Sequence, residues 1–271
     1  MKRFLIAAVV AASSLFAGAA YAGPYILAGT DADDHGFANG SGNQDGWFFM
    51  QRALENLAGS VTNGNKVVTI LGSTLAAATA ANSAFNLSSL AGAGGWTVNT
   101  VTTADFATFF GGGGTLANRG ILMMDSGGNI GGGVSGANFV PFASAINNFV
   151  GGGGGLFSQA NGYQWLSALL PELTVTSASA TGLTLTPAGQ SAFPGLNNGD
   201  LSAGPWHSYF NNVGAIPVLA TGLTANTPRA VIIGSSTGSI TNPGTVPEPT
   251  GLALVAVALV AAGFASKRKR A

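Results

Sequence analysis

The residues able to do chemistry are few, and the densest group comes early. Asp31, Asp33, Asp34 and His35 fall within five positions, with Asp45 just beyond. Carboxylates at alternate positions offer oxygen ligands to a hard cation, and Ca²⁺ is the ion that Asp31, Asp33 and Asp34 together would take. The spacing is not that of an EF-hand, because the fifth position is His35 and the terminal bidentate Glu is missing. The competing reading is a solvated turn whose Asp side chains cap local backbone. A second constellation is dispersed. Ser158, His207 and Asp200 have the residue types of a nucleophile, a base and its orienter. The stretch Gly155-Leu156-Phe157-Ser158-Gln159 is not the G-x-S-x-G turn, however, and His207 beside Trp206 reads equally as a packed histidine. Gly151 to Gly155 lack the Lys-Ser/Thr of a phosphate loop and read as a helix-to-strand turn.

Composition narrows the chemistry further. There is no cysteine, which excludes a thiolate nucleophile, a disulfide and a zinc–cysteine site. The formal charge of zero hides an asymmetry, since Lys2, Arg3 and Lys267 to Arg270 lie at the ends. Between Gly23 and Pro249, four basic residues face all ten acidic ones, a net charge of −6. An acidic domain is a poor nucleic-acid binder, because neutralising phosphates needs clustered Lys and Arg.

The elements that must position these residues follow from periodicity. Pro24–Gly29 reads as a strand delivering the acidic loop. Trp47, Met50, Leu54 and Leu57 share a helical face before Gly59. Further strands are expected at 66–71, 96–102 and 119–125, with helices over 73–90 and 104–110. Residues 139–171 predict helix, glycine turn, strand and helix; after Pro171 come short Thr-rich strands, a loop bearing "GPWHSYF" and two last strands. Apolar strands alternating with helices predict an α/β domain around a mostly parallel sheet over residues 23–240. No fixed repeat runs through the chain, which argues against a Gly/Thr-rich β-solenoid.

The two ends are addresses. Lys2 and Arg3, the apolar run Phe4 to Phe16 and the small residues Ala20 and Ala22 predict a signal peptide over 1–22, cut by signal peptidase before Gly23. At the other end, a linker over 241–249 carries Pro247-Glu248-Pro249, and an apolar helix over 250–266 precedes the basic tail 267–271. The helix's apolar run, Leu252 to Ala265, would reach about 21 Å, short of a hydrocarbon core of about 30 Å. Lys267, Arg268, Lys269 and Arg270 act as a cytoplasmic stop. The combination VPEP, apolar helix and KRKR resembles the PEP-CTERM sorting signal. That resemblance implies recognition by exosortase in a Gram-negative bacterium that makes extracellular polysaccharide. It also implies an inner-membrane intermediate followed by release to the cell surface or matrix.

Three internal motifs carry a second resemblance: "ILAGTDADDHG", "ILMMDSGG" and "INNFVGGGGGLF". Together they resemble the class I glutamine amidotransferase-like fold, nearest its trehalose-utilisation branch. This implies a flavodoxin-like open sheet, mostly parallel, with helices on both faces. In that superfamily the turn after the "GGGGGLF" strand holds a cysteine nucleophile, and here Leu156-Phe157-Ser158-Gln159 stands in its place. The expectation is therefore a non-enzymatic exported protein, without a cofactor or with Ca²⁺ alone, that binds exopolysaccharide or another matrix component. The alternative is an extracellular hydrolase of glycans or esters working at a cleft between the first strand and Ser158.

The ends make a direct prediction. Replacing Glu248 should leave the tail attached and hold the protein in the inner membrane, whereas deleting Lys267–Arg270 should weaken the stop. Mass spectrometry of surface-released protein is the check: a C-terminal peptide still containing Phe264 and Lys267 would refute processing.

Overall fold

The computed structural model describes residues 23–72, 75–112, 115–127 and 133–234. The signal peptide, sorting motif, apolar helix and basic tail expected above lie outside them. Among the described residues, no helix is long and apolar enough to cross a membrane.

The fold is a mixed α/β structure built on one large central sheet. Its parallel part contains β1 (Tyr25–Ala28), β4 (Val67–Leu71), β5 (Thr97–Val101), β6 (Ile121–Met124) and β7 (Gly155–Ser158), in the order β5-β4-β6-β7-β1. β1, β6 and β7 are buried along their whole length, as expected of strands covered on both faces. An antiparallel wing continues from β1 through β12 (Thr227–Gly234). β12 pairs with β1 and then β10 (Trp206–Asn211) along one edge, and with β11 (Val218–Thr224) along the other. β8 (Thr174–Ala180) pairs with β10, and β9 (Leu183–Leu185) with β11.

Helices cover both faces. On one face lie α1 (Asp45–Ala58) and α2 (Ala76–Asn86); on the other lie α3 (Phe106–Phe110) and α4 (Ala143–Gly151). In α1, Phe49, Met50, Ala53, Leu54 and Leu57 form the buried stripe of an amphipathic helix, and Asp45 in its first turn suits the positive end of the dipole. Phe49 makes edge-on contacts with Phe157 of β7, at 5.7 Å, and with Phe193, at 5.2 Å. Each such ring, fully removed from water, contributes about 1.5–3 kcal/mol. α3 and α4 pack with their connecting turns as a phenylalanine cluster, in which Phe106 stacks on Phe139 and Phe110 on Phe142.

Three local departures from the expected elements bear on function. The acidic loop contains a hairpin, β2 (Gly36–Asn39) and β3 (Gly42–Gln44), which returns the chain to the start of α1. The segment expected as a loop, "GPWHSYF", is β10, with Trp206, Ser208 and Phe210 buried in alternation. Its Gly-Pro opening mimics a loop, but pairing with β8 and β12 decides the matter. The helix expected after β7 is reduced to a single 3₁₀ turn at Leu166–Ala168. Two short helices, α5 (Pro187–Ala192) and α6 (Asn198–Leu201), complete the wing.

The parallel half and the wing meet at Gly29. Its carbonyl accepts the N–H groups of both His207 (2.6 Å) and Ser208 (3.1 Å), and its own N–H donates to Val231. A Cβ at this position would stand 1.8 Å from the Ser208 carbonyl oxygen, so only glycine permits the approach. Gly29→Ala should therefore lower stability by about 2 kcal/mol or more, by forcing the two backbones apart. Gly40→Ala, where a Cβ meets nothing within 4 Å, is the control. Urea unfolding of the two variants measures the difference.

Candidate functional site

The carboxyl ends of β1, β6 and β7 lie on one edge of the sheet, the edge at which open α/β sheets place their ligands. Asp31 follows β1 directly, and its Oδ2 atom collects both histidines of the chain. His207 Nε2 lies 2.9 Å from it and His35 Nε2 lies 3.3 Å from it. His35 reaches it from within the same turn, four residues on. His207 arrives from β10, 176 residues away, because the Gly29 joint sets β10 beside the end of β1. The register of β10 against β8 slips between Trp206 and Ser208, an irregularity of the kind that re-aims a side chain. The Asp31 side chain is 11% exposed, against 30% for His35 and 41% for His207. The carboxylate is thus the buried hub and the two rings are its solvent-facing partners.

Packing fixes the first ring tightly. A Cβ on Gly204 would lie 2.1 Å from the His35 ring, so the β10 approach loop presses flat against it. A small cavity of about 10 Å³, room for one water, opens beside Asp31 and His35 and is also lined by Thr30, Phe49 and Leu201.

The acidic loop then crosses the sheet edge. Asp33 is 4% exposed, and its Oδ2 accepts the Ser126 N–H beyond β6, at 3.2 Å. Asp125 caps the same region by accepting the Val134 N–H at 2.8 Å. Beneath this crossing sit Ser126 and Gln159, both fully buried; among the described residues, neither the Ser126 hydroxyl nor the Gln159 amide has a hydrogen-bond partner.

The three carboxylates expected to act together are therefore separated. Asp31, Asp34 and His35 place ligand atoms within 4.8 Å of one another, whereas Asp33 is turned to Ser126. The dispersed constellation does not come together as a relay. Ser158 Oγ is fully buried, receives the Asn161 Nδ2–H at 2.8 Å, and lies among the second face's core with Met124 and Tyr163. Asp200 is engaged in the α6 capping box, its Oδ2 accepting the Asn197 N–H at 2.8 Å. His207 is spoken for by Asp31.

Sequence reasoning missed Gln159, Ser126 and Tyr163. The available signal was polar residues standing directly after apolar strands, in "ILMMDS" and "GLFSQAN". Tyr163 is the wedge that finishes the β1–β7 pairing. Its hydroxyl accepts the Ala28 N–H at 3.0 Å and faces the carbonyl oxygens of Ala28 and Ser158 at 2.7 and 3.0 Å. Burial pushes this hydroxyl far above the ordinary phenol range, and its hydrogen bonds to Ser158 and Ala28 offset only part of that rise. It stays protonated and donating.

Compared with known proteins, the chain matches no protein-family model, no curated protein and no solved structure. The reading of the site therefore rests on its own geometry.

Burial also raises the Tyr25 hydroxyl, so both tyrosines hold their protons more tightly folded than unfolded. Their contribution to stability is complete below the unfolded phenol value of about 10 and is lost as pH rises above it. Tyr163→Phe should cost about 1–3 kcal/mol at neutral pH, by leaving the Ala28 N–H unsatisfied. It should also flatten the loss of stability above pH ~10. Denaturant titrations across pH 7–11 on both proteins measure both effects.

Proposed function

We propose that this chain is an exported, exosortase-processed protein of the cell surface or extracellular matrix of a Gram-negative bacterium. In this reading its α/β domain binds polysaccharide or another matrix component at the carboxyl edge of the sheet and does not hydrolyse it through a serine. The observation that carries the second half is the burial of Ser158, whose hydroxyl bonds to Asn161 and to the Gln159 carbonyl and not to a histidine. A serine nucleophile needs a base within hydrogen-bond reach or one water away. Ser158 is instead fully buried and held by Asn161, while both histidines converge on Asp31. Export and processing rest on the signal-peptide pattern and on the VPEP–apolar–KRKR ending. The charge of −6 between those ends suits partners other than nucleic acid.

The finer fold reading belongs to the same proposal. Across the sheet β5, β4, β6 and β7 follow the flavodoxin order of second, first, third and fourth strand, with β1 in the fifth place. That arrangement supports a flavodoxin-like scaffold of the amidotransferase type, entered from a different strand.

The test is retention on the organism's own exopolysaccharide. The released protein should be retained, and Asp31→Asn should reduce retention at least about fivefold, as expected for a binding-site charge worth about 1 kcal/mol or more. Failure of the wild-type protein to be retained would overturn the binding reading. Cleavage of glycans or esters that disappears in Ser158→Ala would restore the hydrolase.

A further inference from the structure

We propose that Asp31, Asp34, His35 and His207 form a binding site for a divalent transition-metal ion, with Zn²⁺ as its reference occupant, and that this ion clips the β1 loop to β10. The inference is independent of polysaccharide binding.

Convergence is the first argument. The chain has two histidines, and both present Nε2 to a single oxygen of a largely buried carboxylate. The His35 separation of 3.3 Å matches the ligand-to-ligand edge of a tetrahedron with bonds of about 2.0–2.1 Å, roughly 3.3–3.4 Å, and the His207 contact of 2.9 Å would lengthen by about 0.4 Å on coordination. Asp34 supplies a further donor, since a carboxylate oxygen of Asp34, one of Asp31 and a ring nitrogen of His35 lie within 4.8 Å of one another; His207 joins this group through its 2.9 Å contact with Asp31 Oδ2.

The second argument comes from atoms left over. Among the described residues, Asp31 Oδ1 is buried without a hydrogen-bond partner, and so is the hydroxyl of Thr30, a residue 5% exposed. Thr30, Asp31 and His35 line the same cavity of about 10 Å³. A buried polar atom without a partner costs about 1–3 kcal/mol. An ion coordinated by Asp31 would give its carboxylate the missing partner, and a water in that cavity would serve the Thr30 hydroxyl.

Donor chemistry then selects the metal. Two imidazoles and two carboxylates form a mixed nitrogen and oxygen set, which suits Zn²⁺ and its first-row neighbours. Ca²⁺ prefers six to eight oxygens. Removal of Asp33 to the Ser126 N–H takes away the third carboxylate an all-oxygen site would need.

The consequence is mechanical. An exported chain without cysteine has no disulfide to close long loops. A metal joining residue 207 to residues 31–35 closes a loop of 176 residues, and an ion that binds only the folded chain stabilises it by mass action.

The experiment uses the full-length chain in detergent, prepared without a polyhistidine tag. Equilibrium dialysis with Zn²⁺ should give one ion per chain, and Co²⁺ should produce the visible bands of tetrahedral coordination. His35→Gln and His207→Gln should each weaken Zn²⁺ binding by about tenfold or more. At a hundredfold excess over Kd, Zn²⁺ should raise Tm by about 5–10 °C, and each variant should lose that rise. Zn²⁺ binding unchanged in both variants would overturn the proposal. So would octahedral Co²⁺ spectra on the unmutated chain, or Ca²⁺ binding that Zn²⁺ fails to displace. The Co²⁺ spectrum needs no variant to fold.

Discussion

Everything at the carboxyl edge of the sheet depends on how closely β10 can approach the end of β1. Gly29 is the contact: one carbonyl serves two N–H groups of β10, and no side chain intervenes. Without that approach β10 would stand away from the end of β1, and His207 would not reach Asp31. The interaction is a backbone one, so its tolerance is steric. A single methyl group exceeds it.

From that joint the electrostatics follow. A carboxylate that is largely buried must be paired or hydrogen-bonded, because desolvating an isolated charge is costly. Asp31 meets the requirement with two imidazoles on one oxygen, both more exposed than the carboxylate itself. Asp33 meets it differently, by taking a backbone N–H across β7 at β6. One short acidic run thus splits into a solvent-facing histidine-bound group and a buried structural group. Near the same crossing, the Ser126 hydroxyl and the Gln159 amide are buried without a hydrogen-bond partner among the described residues.

The two faces of the sheet divide the labour. The face carrying α1 and α2 holds the main apolar core and leads to the Asp31 group through Phe49. The opposite face, with α3 and α4, is an aromatic core in which Ser158, Asn161, Trp165 and Tyr163 form a closed hydrogen-bonded cluster. That cluster accounts for Ser158 as a structural residue. It also shows how a domain without cysteine secures the end of a central strand, with a phenol wedge and an amide in place of a covalent link.

The sequence alone determined the alternation of strands and helices, since periods of 2 and 3.6 are local properties of side-chain direction. It determined that Asp31, Asp34 and His35 share one turn, and that no thiol chemistry is available. It also named His207 as a residue worth watching. It did not reveal that "GPWHSYF" is a strand, because Gly204 and Pro205 are local turn signals and the hydrogen bonds that override them come from β8 and β12. Nor did it reveal which residues meet. Asp31 and His207 are brought together by strand order, and Ser158 is turned from the histidines by the two-residue alternation along β7, where Phe157 and Ser158 point to opposite faces. Partnership across 176 residues is a property of sheet topology, and no local pattern in the chain encodes it.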